Sequence, residues 1–382
     1  MNHINFDGNS GIQIRPEVAE RWLKIEKDCP GNPSATHSTG RKAQAIIQEA
    51  KSEISSILNC SPQDVFFTSG ATEANNWAIF SFAKQYKEKA HIYISQAEHP
   101  SCIAPVRELE SQGHKVFWLP LNSYADIKTK VIEKTEAPSL FIGQWVNQET
   151  GWIQDLKAFS ELNKQDNFFW HCDAVQGFGK IRQSEALWHA DTFALSGHKI
   201  GAPKGIGLLK VKENFSMSPL ILGGGQQTNL RSGTESPALI SSFALALQLA
   251  NAEQATFEQT TSQYRKILIK ELNKAQLTFN IQTDLEPKKS TPHVINISFP
   301  NIDGRLLVPA LNVQGVEVSS GSACASGASM ASPVLLASGI SKPLAESSLR
   351  ISFQHKYKKE VFESACRRIV RVISSIYKVA KS

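Results

Sequence analysis

Seven short apolar runs between residues 64 and 211 restrict this chain more than any other feature. They read "DVFFTSG" (64–70), "HIYIS" (91–95), "KVFWLPL" (115–121), "SLFIGQWV" (139–146), "NFFWHCD" (167–173), "TFALSG" (192–197) and "GIGLLKV" (205–211). Most are separated by helix-length segments, with helices expected from near Glu73 and near 101–112, 125–134 and 155–164. Strand-length apolar runs alternating with helices predict an α/β fold with a mostly parallel sheet covered on both faces. Beyond about residue 251 a long helical pattern takes over, and strands such as "HVINISF" (293–299) become sparse. The expected division is a large domain over 15–250 and a smaller α+β domain built from 1–14 and 251–382.

With 41% hydrophobic and 20% charged residues among 382, the chain is of ordinary globular composition. No stretch reaches the roughly 20 apolar residues of a membrane span. The first residues, "MNHINFDGNSG", lack the basic and apolar regions of a signal peptide, so a cytoplasmic protein is expected. Six cysteines, at 29, 60, 102, 172, 324 and 366, form no CxxC pair. In a reducing compartment they are free thiols. Much of the net charge of +6 sits in "KYKKEVFESACRRIVRVISSIYKVAKS", where Val361, Ile369, Ile373 and Ile376 form a stripe suited to burial. The basic residues around it read either as a solvated helix face or as a dock for an acidic partner or RNA, and no nucleic-acid-binding motif accompanies them.

Polar clusters fall at the strand ends, where open α/β sheets bind ligands. "TSGATE" (68–73) places small residues between a strand and a helix. Ala71 and Thr72 there either cap the helix or present N–H groups to an anion. In "AEHPSC" (97–102), His99 is either a hydrogen-bonded loop histidine or a ring stacked on a planar ligand. Asp173, closing "NFFWHCD", is either a cap or the partner of a buried cation such as a pyridinium nitrogen. "SGHKIGAPKG" (196–205) holds Ser196, His198 and Lys199 within four residues, a set suited to a phosphate beside an aldehyde. "GGGQQTNLRSGTES" (223–236) is either a surface excursion or a loop reaching into a second copy. Taken together, an amine, a carboxylate, an aromatic ring and small hydroxyl residues at a helix start describe a site for pyridoxal 5′-phosphate.

"SSGSACASG" (319–327) surrounds Cys324 with nothing larger than serine, the composition of a mobile loop. Together with "GNPSATH" (31–37), "FTSGATEANN" (67–76), "NQETG" (147–151), "HCDAVQGFGK" (171–180) and "SSLRISF" (347–353), these stretches resemble the cysteine desulfurases of the NifS/IscS-like branch. Those are fold-type-I pyridoxal-phosphate enzymes of the class-V aminotransferase family. The resemblance implies a seven-stranded, mostly parallel sheet flanked by helices, a smaller domain carrying the mobile Cys324 loop, and conversion of L-cysteine to L-alanine with sulfur taken up by Cys324 as a persulfide.

It also implies roles. Lys199 would bind the aldehyde and Cys324 would attack the substrate sulfur; should Cys324 prove dispensable, Cys102 beside "AEHPS" is the next candidate thiol. His99 would stack on the ring, Asp173 pair with the ring nitrogen, and Gln176 and Gln148 contact the cofactor. Ala71, Thr72, Ser196 and His198 would hold the phosphate, and Thr234 that of the other subunit of a homodimer. Arg350 and Asn147 would bind the substrate. No metal is implied. The persulfide would pass to an acceptor protein, an iron–sulfur scaffold or a tRNA-thiolating enzyme. Departures are Gln148 where the family has Asn, and "DGNSGIQ" (7–13) where it has a threonine-bearing segment, which touches substrate handling. Alternatives are an aminotransferase, a selenocysteine lyase or a non-catalytic relative.

Overall fold

The structure, a computed structural model, describes residues 3–87, 90–133, 135–320, 331–354 and 356–381. Cys324 lies outside the described residues.

The chain opens with β1 (Ile4–Asn5), α1 (Pro16–Asp28) and α2 (Ser38–Leu58). The predicted alternation follows, as β2 (Val65–Thr68), α3 (Ala71–Tyr86), β3 (His91–Ser95), α4 (Pro100–Ser111), β4 (Lys115–Leu119), β5 (Ser139–Ile142), α5 (Leu156–Leu162), β6 (Phe168–Asp173), β7 (Thr192–Ser196) and β8 (Gly207–Val211). These seven strands form one sheet in the order β2-β8-β7-β6-β5-β3-β4. It is parallel except at β8, which runs antiparallel to both β2 and β7. Glycine permits that insertion: a Cβ on Gly207 would stand 2.7 Å from the Cα of Gly70.

Successive residues of a strand face opposite sides, and here both sides are dry. Phe141, Phe193 and Leu208 join Ile47 and Ile54 of α2 in one core. Their neighbours Leu140, Ala194 and Leu209 join Trp77, Ala78 and Phe82 of α3 and Val106 of α4 in another. This double burial is why the runs read as nearly continuous apolar stretches.

One expected helix does not form. The described residues of 125–133 hold only short 3-10 turns, Ser123–Ala125 and Thr129–Val131. Tyr124 and Ala125 take positive φ (64° and 72°), and Ile127, buried in the first core, has its N–H tied to Gln154 Oε1 at 3.2 Å. This tertiary hold outweighs the local helical preference.

The remaining elements are α6 (Pro237–Lys274), β9 (Asn280–Ile281), β10 (Val294–Ser298), α7 (Gly304–Val313), β11 (Val316–Glu317), α8 (Pro333–Ala337), α9 (Lys342–Glu346), β12 (Ser348–Ser352) and α10 (Lys359–Lys381). β10 pairs antiparallel with β9 and β12, while β1 pairs with β11. A third core forms here, in which Ile295, Ile297, Leu349 and Ile351 meet Ile369 and Ile373 of α10, so the apolar stripe of the C-terminal helix is inside. The 38-residue α6 belongs to two cores, through Phe243 and Leu247 near its start and Leu268 and Leu272 near its end.

Candidate active site

Three strand ends of the large sheet carry the central groups. Asp173 is the last residue of β6 and is buried. It accepts hydrogen bonds from Asn75 Nδ2 at 2.9 Å and from the Val175 N–H at 3.1 Å. His99 caps α4, with Nδ1 accepting from the Ser101 N–H at 3.1 Å. Lys199 lies in the turn after β7, and its Nζ donates to the carbonyls of Asn9 (2.6 Å) and Ser10 (3.0 Å). These groups share one field: burial pulls the His99 pKa down, the Asp173 charge opposes that, and the Lys199 charge adds to it.

The phosphate candidates lie beside them. Gly70 starts α3 with no side-chain cap, so the N–H groups of the turn holding Ala71 and Thr72 are presented to an anion. Ser196 Oγ and His198 Nδ1 stand 3.0 Å apart. Thr234 is exposed on its own chain and lines a small cavity with Thr68, Ser69 and Arg231. Arg231 in turn grips Glu73 at 2.8 and 3.2 Å.

A second group comes from distant parts of the chain. Arg350, on β12, has a side chain 7% exposed, pairs with Asp7 at 2.9 Å and reaches Ser10 Oγ at 3.3 Å. Its Nη1 lies 3.4 Å from the Gln148 carbonyl, and its Nε is buried without a partner among the described residues. Gln176 Oε1 accepts from the buried Nζ of Lys180. Asn9 binds much of this together, donating Nδ2 to the Gln148 carbonyl (2.9 Å) and meeting His293 Nε2 (3.1 Å).

Asn147 is buried beside this group. Its Nδ2 donates to the Ala97 carbonyl, and its Oδ1 accepts from the N–H groups of Glu149 and Thr150. The carboxamide braces its own turn through Oδ1, while Nδ2 spends one of its two hydrogens on Ala97. The alternative thiol fails: Cys102 is fully buried and burial raises its pKa well above the ordinary value, as it does for Cys172.

Burial and two neighbouring cations, Lys199 and Arg350, set the electrostatics of the site. Burial pulls the Lys180 amine well below the usual lysine range, with Lys199 and Arg350 adding to it. His198 is lowered to about 4 by burial and then by Lys199, Lys204 and Lys180. An uncapped helix start, the Ser196 hydroxyl, the Lys199 amine and the Asp173 carboxylate fit a ligand with a phosphate, an aldehyde and a ring nitrogen, so the donor set suits pyridoxal 5′-phosphate. Among the described residues no cluster suited to a metal occurs, and no helix is long and apolar enough to cross a membrane.

Sequence reasoning missed Asn75, Ser101, His171, Asp7, Lys180 and the buried Glu149. Only His171 left a local trace, as an imidazole inside the apolar run "NFFWHCD".

Known proteins resemble this chain over nearly its whole length. The family Aminotransferase class-V matches residues 4–363. The cysteine desulfurase IscS of Clostridium botulinum is 32% identical over 376 residues, covering 97% of this chain and 94% of that protein. A solved NifS-like protein superposes with a TM-score of 0.90 at 29% identity, covering 98% of this chain and all of that one. A structure of SspA in complex with cysteine gives a TM-score of 0.79 at 28% identity, covering 93% of this chain and 99% of that one.

Proposed function

We propose a function from one premise: this chain belongs to the class-V aminotransferase family, whose members use pyridoxal 5′-phosphate. It is a cysteine desulfurase, converting L-cysteine to L-alanine and taking the sulfur onto Cys324. The observation that carries this reading is the meeting of Lys199, Asp173 and His99 at strand ends with the distant guanidinium of Arg350, in a chain whose full-length relatives are described as cysteine desulfurases.

Asp173 holds the ring nitrogen, Gln176 and Gln148 contact the cofactor, and His99 flanks the ring. The α3 start at Ala71 and Thr72, with Ser196 and His198, holds the phosphate. Thr234 of a second copy completes that phosphate site, making the working form a homodimer. Bound there, the cofactor supplies an electron sink for the pair left when a Cα–H bond breaks. Lys199 takes the Cα proton on Nζ. Arg350 grips the substrate carboxylate as a fork.

The Cys324 thiolate then attacks the substrate sulfur. An S–S bond forms and the C–S bond breaks; one proton goes to the freed Cβ, and Lys199 Nζ returns the abstracted proton to Cα, leaving alanine. The residues on either side of this segment are tied to the site. Ser319 exchanges backbone hydrogen bonds with Arg350 at 3.2 and 2.7 Å, and Ser332 donates to Glu149. The persulfide passes to an acceptor protein.

Alanine formed per active site from L-cysteine, with a reductant present, tests the reading. Lys199→Ala and Cys324→Ala should each abolish turnover, while Cys324→Ala keeps the visible absorption of bound cofactor. Alanine formation by Cys324→Ala at the wild-type rate would overturn it.

A further inference from the structure

A buried polar cluster lies behind Asp173 and His99, built from side chains that none of the roles above uses. His171 is fully buried in β6, two residues before Asp173 and therefore on the same strand face. Asn75, also fully buried, projects from α3. Ser101 lies in the first turn of α4.

The direction of every hydrogen bond here follows from one anchor. The Asp173 carboxylate is an acceptor, so the group 2.9 Å from its Oδ2 is the NH2 end of Asn75. That places Asn75 Oδ1 against His171 Nε2, at 3.0 Å, and Nε2 must carry the hydrogen. A neutral imidazole has a single N–H, so Nδ1 accepts from the Thr192 hydroxyl at 2.8 Å. Burial holds the ring neutral, lowering its pKa from 6.5 to about 3. The second hydrogen of Asn75 Nδ2 goes to Ser101 Oγ at 2.8 Å. The Ser101 hydroxyl is then free to donate to His99 Nδ1, 2.7 Å away. Because Nδ1 also accepts from the Ser101 N–H, neutral His99 carries its hydrogen on Nε2.

We infer that His171 and Asn75 form a positioning relay that sets Asp173 and His99 as one unit, fixing the carboxylate's rotamer and the tautomer of His99. The inference rests on the reading of Asp173 and His99 given above. In an apolar core an imidazole and a carboxamide have no use as packing groups, since desolvating them is unfavourable unless every polar atom is paired. Here each polar atom of the two side chains has a partner. The chain runs from Thr192 through His171 to Asn75, where it branches to Asp173 and to Ser101.

The test uses the holoenzyme and reads the visible band of bound pyridoxal 5′-phosphate and the rate at which it is lost to a cofactor-free buffer. Asn75→Leu should shift the band and speed cofactor loss about tenfold or more, the size expected for losing a hydrogen bond to a charged group. His171→Leu should do the same, and His171→Gln, which retains a donor at the Nε2 position, should restore the wild-type band and retention. That rescue separates positioning from packing, because glutamine fits the ring's space worse than its hydrogen bond. If Asn75→Leu does not fold, the two His171 variants decide alone. A band and retention that stay wild-type in His171→Leu, or that are shifted equally in His171→Gln, would overturn the relay. Asp173→Asn serves as the control on the underlying reading. If it leaves the band unchanged, both the site assignment and the relay fall. If it shifts the band while the relay variants do not, the relay alone falls.

Discussion

Replacing Asp7 by asparagine separates two demands on Arg350. The guanidinium is almost fully buried and is neutralised by Asp7 at 2.9 Å, whose own side chain is 21% exposed. A substrate carboxylate on the same guanidinium would lie about 5 Å from Asp7, where like charges repel by about 3 kcal/mol at an effective dielectric near 20. The exposure of Asp7 reduces this by about half, leaving about 1.4 kcal/mol, or roughly tenfold in affinity. Asp7→Asn keeps an acceptor for Nη2 but removes the charge, so the folded state should lose about 1–2 kcal/mol, less than the 3–5 kcal/mol of a wholly broken buried pair. The assay is an L-cysteine titration of the visible band in a Cys324→Ala background, which binds without turning over, paired with chemical denaturation. The expected result is tighter L-cysteine binding by about tenfold in a less stable protein. A folded Asp7→Asn variant that binds L-cysteine equally or more weakly would refute the competition between the two carboxylates for Arg350.

Glu149 titrates at about 7, raised from 4.5 by burial, with Ser332 and Arg350 opposing. Below pH 4.5 folded and unfolded chains both hold its proton, and between 4.5 and about 7 only the folded chain does. Stability therefore falls as pH rises across that window, by about 3 kcal/mol in total, and pH-dependent urea denaturation should show Glu149→Gln escaping this fall. A Cβ on Gly177 would stand 2.4 Å from the ring of buried Trp145, so Gly177→Ala should cost about 1–3 kcal/mol in urea unfolding and displace the neighbouring Gln176. Leu222 is 84% exposed in the segment leading to Thr234, and Leu222→Arg should shift the mass measured by light scattering toward monomer and hasten cofactor loss. Cys102→Ala should leave alanine formation per active site unchanged, measured with the same assay as the wild type, since the Cys102 thiol is sealed in the core.

The sequence by itself determined the layered α/β plan and the strand-end positions of the chemistry. Apolar runs bury both faces of their strands, as Phe193 and Ala194 do on opposite sides of β7, and this requirement is written into consecutive residues. Asp173 stood out because it ends such a run, and His99 and Lys199 because each follows one within a few residues. It also carried a false local signal at 125–134, where the hold of Gln154 on Ile127 overrides the helical pattern. What only the tertiary structure decided are the partnerships across the fold. Asn75 meets His171 and Asp173 across 96 and 98 residues, and Arg350 meets Asp7 across 343. Periodicity and turn chemistry act over a few residues and are silent about such pairs. They follow from the strand order and the packing of α3 on the sheet, which bring each buried polar atom to the one partner that satisfies it.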